Sequence, residues 1–190
     1  MLPAAEKFVA GMRETFAAGI GERARWEKCR DLLELLLADP ALRQHAESWP
    51  VGGFDGKKVD NLLFYEDPDY GFVMNGLIKN PGGRAMIHDH GPAWTIYGLV
   101  QGRERIVHFD AAERTDGRFD IAEADSEDYG PGDIDIVAPR VVHSEYAGEE
   151  KSIALIVRSQ RSGTFDQYRY FEDGSRVVFR GPNQVPFELY

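Results

Sequence analysis

Three histidines in two short motifs are the residues of this sequence best suited to chemistry. His88 and His90 flank Asp89, and His143 follows Pro139 by four positions. On an extended chain, residues two apart project their side chains from the same face, with Cα atoms about 7 Å apart. Imidazole is a common metal ligand in proteins. The spacing therefore predicts one metal site formed by His88, His90 and His143.

Charged side chains near these motifs are candidates for supporting roles. Glu145 lies two residues after His143, so it would share the face of that ligand and orient its imidazole, or complete the coordination. Arg84 lies four residues before His88, and strand alternation places it on the ligand face as a candidate catalytic group. Arg158, if it points into the fold, would offer a planar two-pronged donor to a carboxylate or another oxyanion. For both arginines the alternative is a solvated ion pair at the rim.

The segment after His90 supplies candidate pocket residues. Trp94 follows the Gly91-Pro92 turn, where an apolar lining would suit a buried substrate. Trp94 and Ile96 alternate with Thr95 and Tyr97, and the turn leaves open which set faces inward. We take Trp94 and Thr95 as candidates for the substrate pocket and Tyr97 as a candidate catalytic group, with core packing as the alternative for each.

The other histidines and acidic residues are predicted to have structural roles. His45 and His108 have no partner at ligand spacing. Asp89 should face away from its two neighbours. The acidic segment 110–135 is predicted to be a hairpin with a solvated face and no chemistry.

Helices are expected only in the first 50 residues. Apolar positions recur at helical spacing over residues 4–18 and 22–38, and Asp39-Pro40 provides a cap and a first-turn proline for a helix through residue 47. These helices show no catalytic spacing, so we expect them to pack on a sheet as part of one domain with residues 51–190.

The pattern beyond residue 50 is one of short strands separated by Gly, Pro and Asp turns. The candidate strands are 59–66, 71–79, 84–90, 94–101, 104–110, 119–125, 133–137, 142–147, 152–158 and 176–180. Many short strands without intervening helices predict an antiparallel sandwich or small barrel. The tail, residues 181–190, is expected to lie along this barrel.

The order of glycines, histidines and proline in this region resembles the two sequence motifs of the cupin superfamily. The matching positions are Gly82, His88, His90, Gly102, Gly132, Pro139 and His143. The resemblance implies a mainly β protein, a cupin double-stranded β-helix or jelly-roll barrel, with a metal in its mouth. Where the cupin pattern has an acidic ligand, this chain has Trp94 or Thr95, which leaves three neutral imidazoles.

Within the cupins, the His-Asp-His run, the aromatic strand after it and the helical N-terminal segment are similar to the thiol dioxygenases typified by cysteine dioxygenase. That resemblance implies Fe(II) held by three histidines and oxidation of a thiol to a sulfinate by O₂. This chain has Thr95 and Arg158 where mammalian-type members have a Cys–Tyr crosslink, and Asp60 where the family has a carboxylate-binding arginine. Cysteine is therefore not the expected substrate, and another thiol, a diketone or an enolate remains open.

These observations lead to one favoured function and two alternatives. The favoured function is an Fe(II)-dependent dioxygenase acting on a small anionic substrate and O₂, with Zn, Ni and Mn as alternative metals. The alternatives are a Zn or other divalent-metal hydrolase or isomerase, and a non-catalytic cupin that binds a metal or ligand. A homodimer through the barrel edges is common among cupins.

Composition excludes several partner classes. The formal net charge is −10, which argues against nucleic-acid and anionic-membrane partners. Cys29 is the only cysteine, so no internal disulfide can form. Charges interrupt the first 20 residues, and no stretch approaches the about 20 apolar residues that a membrane span needs. We therefore expect a cytoplasmic protein.

Overall fold

Helices form the N-terminal part of the fold, as the apolar spacing predicts. The computed structural model describes residues 1–51 and 61–190, and its helices are α1 (Pro3–Ala17), α2 (Glu22–Leu37) and α3 (Pro40–Ala46). The Asp39 side chain accepts hydrogen bonds from the backbone N–H groups of Ala41 and Leu42, which caps α3. None of the helices in this part of the chain is long and apolar enough to cross a membrane.

The rest of the described chain consists of strands and the turns and loops that connect them. They are β1 (Asn61–Glu66), β2 (Val73–Lys79), β3 (Thr95–Gln101), β4 (Glu104–Glu113), β5 (Phe119–Tyr129), β6 (Ile134–Val137), β7 (Val142–Ala147), β8 (Ser152–Arg158), β9 (Gln167–Tyr170), β10 (Arg176–Phe179) and β11 (Gln184–Pro186). The hairpin β4–β5 extends beyond its predicted limits because its two strands pair from Glu104↔Tyr129 to Glu113↔Phe119, with one shift of register after His108. The acidic face of this hairpin is largely exposed, as predicted.

The order of the strands defines a double-stranded β-helix. One sheet has the order β11-β1-β2-β8-β3-β6 and the other the order β5-β4-β7. The chain segment between β2 and β3 joins the open edge of β7 through bridges at Arg84↔Tyr146 and His88↔His143. From β2 to β8 the chain thus passes back and forth between two facing sheets, which is the jelly-roll arrangement of cupins. The predicted fold class is confirmed.

The prediction of a strand over residues 84–90 is wrong. This segment has only isolated bridges and is not a regular strand. Gly82 and Gly91, at its two ends, have positive φ values of 67° and 52°, so the chain turns sharply on both sides. At Gly91 an added Cβ would lie 2.3 Å from Asp166 O, so only glycine fits there. The segment is therefore held between two turns and cannot extend into a ladder.

Strands β9 and β11 were not predicted from the sequence. The strand β9 pairs with β10 in a hairpin after the barrel, and β11 adds in parallel to β1. The tail lies along the sheet, where Leu189 is buried and its carbonyl accepts a hydrogen bond from Leu2 N–H. Residues 59 and 60, including Asp60, lie outside the described residues.

The helices cover the outer face of the larger sheet. Trp26 of α2 stacks on Trp94 with ring centroids 6.4 Å apart and an interplanar angle of 6°. Gly98 of β3 lies directly beneath α2, where an added Cβ would be 2.6 Å from Leu37 Cδ1. Along β3 the side chains alternate, so Ile96 packs with the helices while Tyr97 and Leu99 face the barrel interior. This alternation leaves the inner face of the barrel free to form a site.

Candidate metal centre

The structure brings the three predicted imidazoles together. One ring nitrogen from each of His88, His90 and His143 lies within 4.8 Å of the others. The Nε2 atoms of His88 and His90 are 3.2 Å apart. Two nitrogens bonded at 2.0–2.1 Å to one tetrahedral ion are about 3.3 Å apart. The geometry therefore fits a group that could hold a divalent metal.

Backbone carbonyls orient two of the rings. His88 Nδ1 lies 2.7 Å from Met86 O, and His143 Nδ1 lies 3.2 Å from Val141 O. Because a carbonyl only accepts hydrogen bonds, Nδ1 carries the proton in both rings and Nε2 keeps a lone pair. His143 Nε2 is buried without a hydrogen-bond partner among the described residues. Burying this nitrogen without a partner costs free energy, and a bound metal ion would provide the partner.

Asp89 holds the histidine segment from the side opposite the rings, as predicted. Its carboxylate accepts hydrogen bonds from the N–H groups of Gly91 and Tyr168 and from the hydroxyl of Tyr170. Asp89 is itself buried. It therefore anchors the ligand segment to β9 and is not a ligand.

The electrostatics of the site favour neutral imidazoles. Burial and, to a smaller extent, the neighbouring His143 together lower the pKa of His88 to about 4 and that of His90 well below its ordinary value. Rings with such pKa values carry no proton on the ligand nitrogen at neutral pH. They are ready to bind a cation without first losing a proton.

Glu145 lies next to the imidazoles, on the face predicted from its spacing. Its Oε1 is 3.4 Å from His143 Nε2. Burial raises the pKa of Glu145, but the charge of Lys79 and the interaction with His143 outweigh this and hold the pKa well below its usual range. Glu145 is therefore a carboxylate at neutral pH, close enough to His143 Nε2 to approach an ion bound there.

Arg158 points into the barrel interior. It follows Ile156 on the inner face of β8 and lines a cavity of about 360 Å³ together with His88, His90 and Glu145. Its Nε and Nη1 atoms are buried and have no hydrogen-bond partner among the described residues. Burial lowers the pKa of Arg158 to about 10, against the raising effect of Glu145, so the guanidinium is still charged at neutral pH. The cavity is thus lined by a cation with two nitrogens that no described residue pairs by a hydrogen bond.

Arg84 also lines this cavity, from the exposed side of the histidine segment. Thr95 shares the inward face of β3 with Tyr97, but neither Thr95 nor Trp94 is among the described residues that line this cavity. Trp94 faces the helices, stacked on Trp26. Thr95 pairs with Arg158 across β3 and β8 and is completely buried, with no hydrogen-bond partner for its hydroxyl among the described residues.

Tyr97 belongs to a buried polar network behind the cavity. Its hydroxyl donates to Glu104 and accepts a hydrogen bond from Lys79 Nζ at 2.7 Å. Burial and the charge of Glu104 raise the pKa of Tyr97 well above its ordinary value, so the hydroxyl stays protonated. Lys79 lines the cavity and pairs with Glu104 at 2.7 Å. Tyr97 therefore contacts the wall of the cavity rather than its space.

Several cavity residues were not identified from the sequence. Arg169, Gln167 and Phe179 reach the cavity from the β9–β10 hairpin, and Asn61 reaches it from β1. The backbone of Arg169 forms a bridge to His88. The alternating Gln-Tyr-Arg-Tyr of β9 was the available signal, but no spacing connected it with the histidines.

The remaining histidines lie outside the three-histidine group. His45 Nδ1 accepts a hydrogen bond from Trp49 Nε1 at 2.9 Å. His108 lies between Asp125 and Asp135, and its hydrogen bonds to Asp135 and Asp125 raise its pKa to about 9. Both have structural partners.

No protein family and no curated protein matches the sequence. Similar solved structures include an oxalate oxidase, with 15% identity over 47% of this chain and 42% of that chain and a TM-score of 0.39. KdgF from Halomonas sp. has 18% identity over 52% of this chain and 76% of that chain, with a TM-score of 0.41. A conserved protein with a double-stranded β-helix domain from Klebsiella pneumoniae has 15% identity over 63% of this chain and 77% of that chain, with a TM-score of 0.41.

The present chain spans less than half of that oxalate oxidase, and similarity at this level carries no activity over to it. The strand order and the histidine group themselves define the class. The protein has a cupin-type double-stranded β-helix, and it carries a three-histidine group that could hold a metal in the cavity of its barrel.

Proposed function

We propose that this protein is a non-haem Fe(II)-dependent dioxygenase that oxidises a small anionic substrate, a thiol, with O₂. One observation carries the proposal. Three imidazoles converge, and two of them, His88 and His90, line the same cavity as the buried Arg158, whose Nε and Nη1 atoms have no partner among the described residues. A metal group next to an unpaired cation fits a substrate that is anionic and binds close to the metal.

The three imidazoles would hold the ion without reducing its charge. A site of two histidines and one carboxylate leaves a net charge of +1 on a divalent ion, whereas three neutral histidines leave +2. Such a centre attracts a thiolate more strongly. When bound, Fe(II) would supply the redox chemistry needed for reaction with O₂.

The side chains of the cavity would orient the substrate. Arg158 can donate two parallel hydrogen bonds to a carboxylate, which fixes both the position and the direction of the substrate. In the overall reaction both atoms of O₂ are transferred to sulfur, so that R–SH and O₂ give the sulfinic acid R–SO₂H with no other reductant. The barrel wall would keep bulk water away from the reacting atoms.

A Zn-dependent hydrolase or isomerase is the second candidate, and Glu145 favours it. Its carboxylate lies 3.4 Å from His143 Nε2, within reach of a water molecule bound to an ion at the histidine group. A carboxylate in that position can act as a general base. In this case the metal would act as a Lewis acid, and no oxygen would be consumed.

Oxygen uptake separates the two candidates. We expect protein reconstituted with Fe(II) to consume O₂ with at least one member of a panel of small thiols and diketones, and protein loaded with Zn(II) to consume none. The product of a thiol should be a sulfinate, detected by mass spectrometry as a gain of two oxygen atoms. Stoichiometric Zn in protein purified without added metal, together with no Fe-dependent O₂ uptake, would overturn the dioxygenase. If the protein also shows no activity in assays of hydrolysis and isomerisation, the remaining alternative is a non-catalytic cupin that binds a metal or ligand.

A further inference from the structure

We propose that the cavity binds a small dianion, with one anionic group on Arg158 and a second on Arg169 of the β9–β10 hairpin. This inference rests on the proposed function, because it names the substrate class of the same site. It follows from the polar atoms that line the cavity and from their charges.

Several residues that line the cavity have buried donors without partners. Beside the two nitrogens of Arg158, these donors include Gln167 Nε2 and Asn61 Nδ2, in side chains that are 1% and 2% exposed. Each lacks a hydrogen-bond partner among the described residues. Leaving several buried N–H groups unpaired is costly, so the cavity is built for an occupant rich in acceptor oxygens.

The charges of the described lining residues are unbalanced. Arg84, Arg158 and Arg169 line the cavity, and Glu145 is the one carboxylate among the described residues that do so. Lys79 also lines it, but Glu104 offsets its charge at 2.7 Å. The excess is therefore about two positive charges before a metal is counted, in a chain whose net charge is −10. A monoanion would leave part of this excess uncompensated.

Arg169 is held in place for a second anionic group. Its guanidinium carbon lies 4.4 Å from the ring centroid of Phe179, and the Phe179 ring is 6.2 Å from the ring of His88. Stacking on the ring leaves the in-plane N–H groups of the guanidinium free to donate. Arg169 forms no ion pair with a described residue, and its backbone is bridged to His88, so it lies beside the ligand segment.

The arrangement gives each anionic group its own position. Arg158 belongs to β8 of the barrel wall and Arg169 to the β9–β10 hairpin, and both line the cavity, so a dianion would connect the two. Gln167, on β9 with Arg169, would add a neutral donor to one of its groups. A monoanion would occupy only one of these positions.

The proposal is tested by calorimetric titration of the Zn(II)-loaded protein at constant ionic strength. The probes are malonate, succinate and glutarate, each compared with the monocarboxylate of the same length: propionate, butyrate and pentanoate. We expect at least one dicarboxylate to bind tenfold more tightly than its partner, as one additional charge-assisted pair would give. Equal affinities in all three pairs would overturn the proposal.

Variants then assign the two groups. Arg169→Met should weaken binding of the preferred dicarboxylate about tenfold and change binding of its monocarboxylate partner less than twofold, whereas Arg158→Met should weaken both. Arg23→Met removes one positive charge from the exposed face of α2 and serves as the control, with no change for either ligand. If the dicarboxylate preference survives in Arg169→Met, the assignment of the second group is wrong. Thermal unfolding of each variant confirms that it is folded.

Binding and turnover give independent answers. A dicarboxylate preference without any Fe-dependent O₂ uptake would support the dianion site and contradict the dioxygenase. Uptake with a monoanionic thiol, without any dicarboxylate preference, would support the dioxygenase and contradict the dianion site.

Discussion

At the scale of residues, the two nitrogens of an imidazole ring have different roles, and these roles determine whether the site can bind a metal ion. His88 and His143 direct Nδ1 to backbone carbonyls, which fixes the tautomer and leaves Nε2 free. Burial lowers the pKa of His88 and His90, which keeps these two rings neutral. Two rings alone would form a much weaker site, because each ligand contributes to holding one ion.

Replacing His143 tests this arrangement. We expect His143→Ala to lower divalent-metal affinity by about 10²-fold or more, because two ligands and an empty space replace three converging nitrogens. Metal content after dialysis, measured by atomic spectroscopy, should fall from about one ion per chain to a small fraction. The control is His45→Gln, which should retain the metal because His45 lies on α3, outside the three-histidine group. Full retention of metal by His143→Ala would show that the ion binds elsewhere.

The arginines should affect substrate binding and leave the metal in place. We expect Arg158→Ala to raise KM about tenfold or more with unchanged metal content, since a buried charge-assisted pair is lost. Arg84→Ala should raise KM less, because its side chain is exposed. The measurement is steady-state O₂ uptake, with Arg23→Met as the control for loss of charge. If neither KM rises, neither arginine contacts the substrate.

At the scale of elements, the ligand segment differs most from what the sequence predicts. Alternation on a regular strand was expected for residues 84–90, and it correctly paired the two histidines. The segment instead lies between turns at Gly82 and Gly91 and is fixed by Asp89. The hairpin partners of Asp89 could not be predicted, because contacts between distant segments leave no spacing in the sequence. Arg169 and Gln167 were missed for the same reason.

The contact between α1 and the β1–β2 turn gives a prediction about pH. Burial raises the pKa of Asp67, but hydrogen bonds from Tyr70 N–H, the Tyr65 hydroxyl and Arg13 outweigh this and lower the pKa below its ordinary value. A lowered folded-state pKa stabilises the protein above the unfolded-state pKa, and this contribution is lost as pH falls through the folded-state value. We expect Asp67→Asn to cost about 1–2 kcal/mol at pH 7, allowing for the partial exposure of Arg13.

The measurement is urea unfolding at pH values from 7 down to 3. The difference between the original protein and Asp67→Asn should be constant near neutral pH and shrink below pH of about 4. Asp31→Asn, which removes an exposed carboxylate on α2, should change the free energy of unfolding by less than about 0.5 kcal/mol. A difference that does not vary with pH would show that the charge of Asp67 does not contribute.

At the scale of the whole molecule, the helices and the barrel share one core. The same cluster of buried residues includes Trp26 and Leu37 of α2 and Ile96 of β3. We therefore expect residues 1–50 and the barrel to unfold as one unit, in line with the sequence-based expectation that the helices pack on a sheet as part of one domain. The apolar periodicity predicts that the helices cover a sheet, but not which sheet face they cover.

Gly98→Ala tests this coupling. The added methyl group would lie 2.6 Å from Leu37 Cδ1 and 3.1 Å from Leu33 Cδ2, so the Leu37 side chain or α2 itself must shift. We expect a loss of about 1–3 kcal/mol in the free energy of unfolding. Far-UV circular dichroism and tryptophan fluorescence should show the same lowered transition midpoint. Gly130→Ala, where the nearest atom is 3.6 Å away, is the control. Separate transitions in the two signals would indicate that helices and barrel unfold independently.

The hydrogen bonds that hold Asp89 also determine when the three-histidine group can form during protein synthesis. Its carboxylate is held by Tyr168 and Tyr170, which lie 79 and 81 residues further along the chain. A nascent polypeptide on the ribosome therefore has all three imidazoles well before it has the residues that fix two of them in place. Stable uptake of an ion by this group would therefore wait until translation has passed residue 170, which would make metallation a late event in the maturation of this protein.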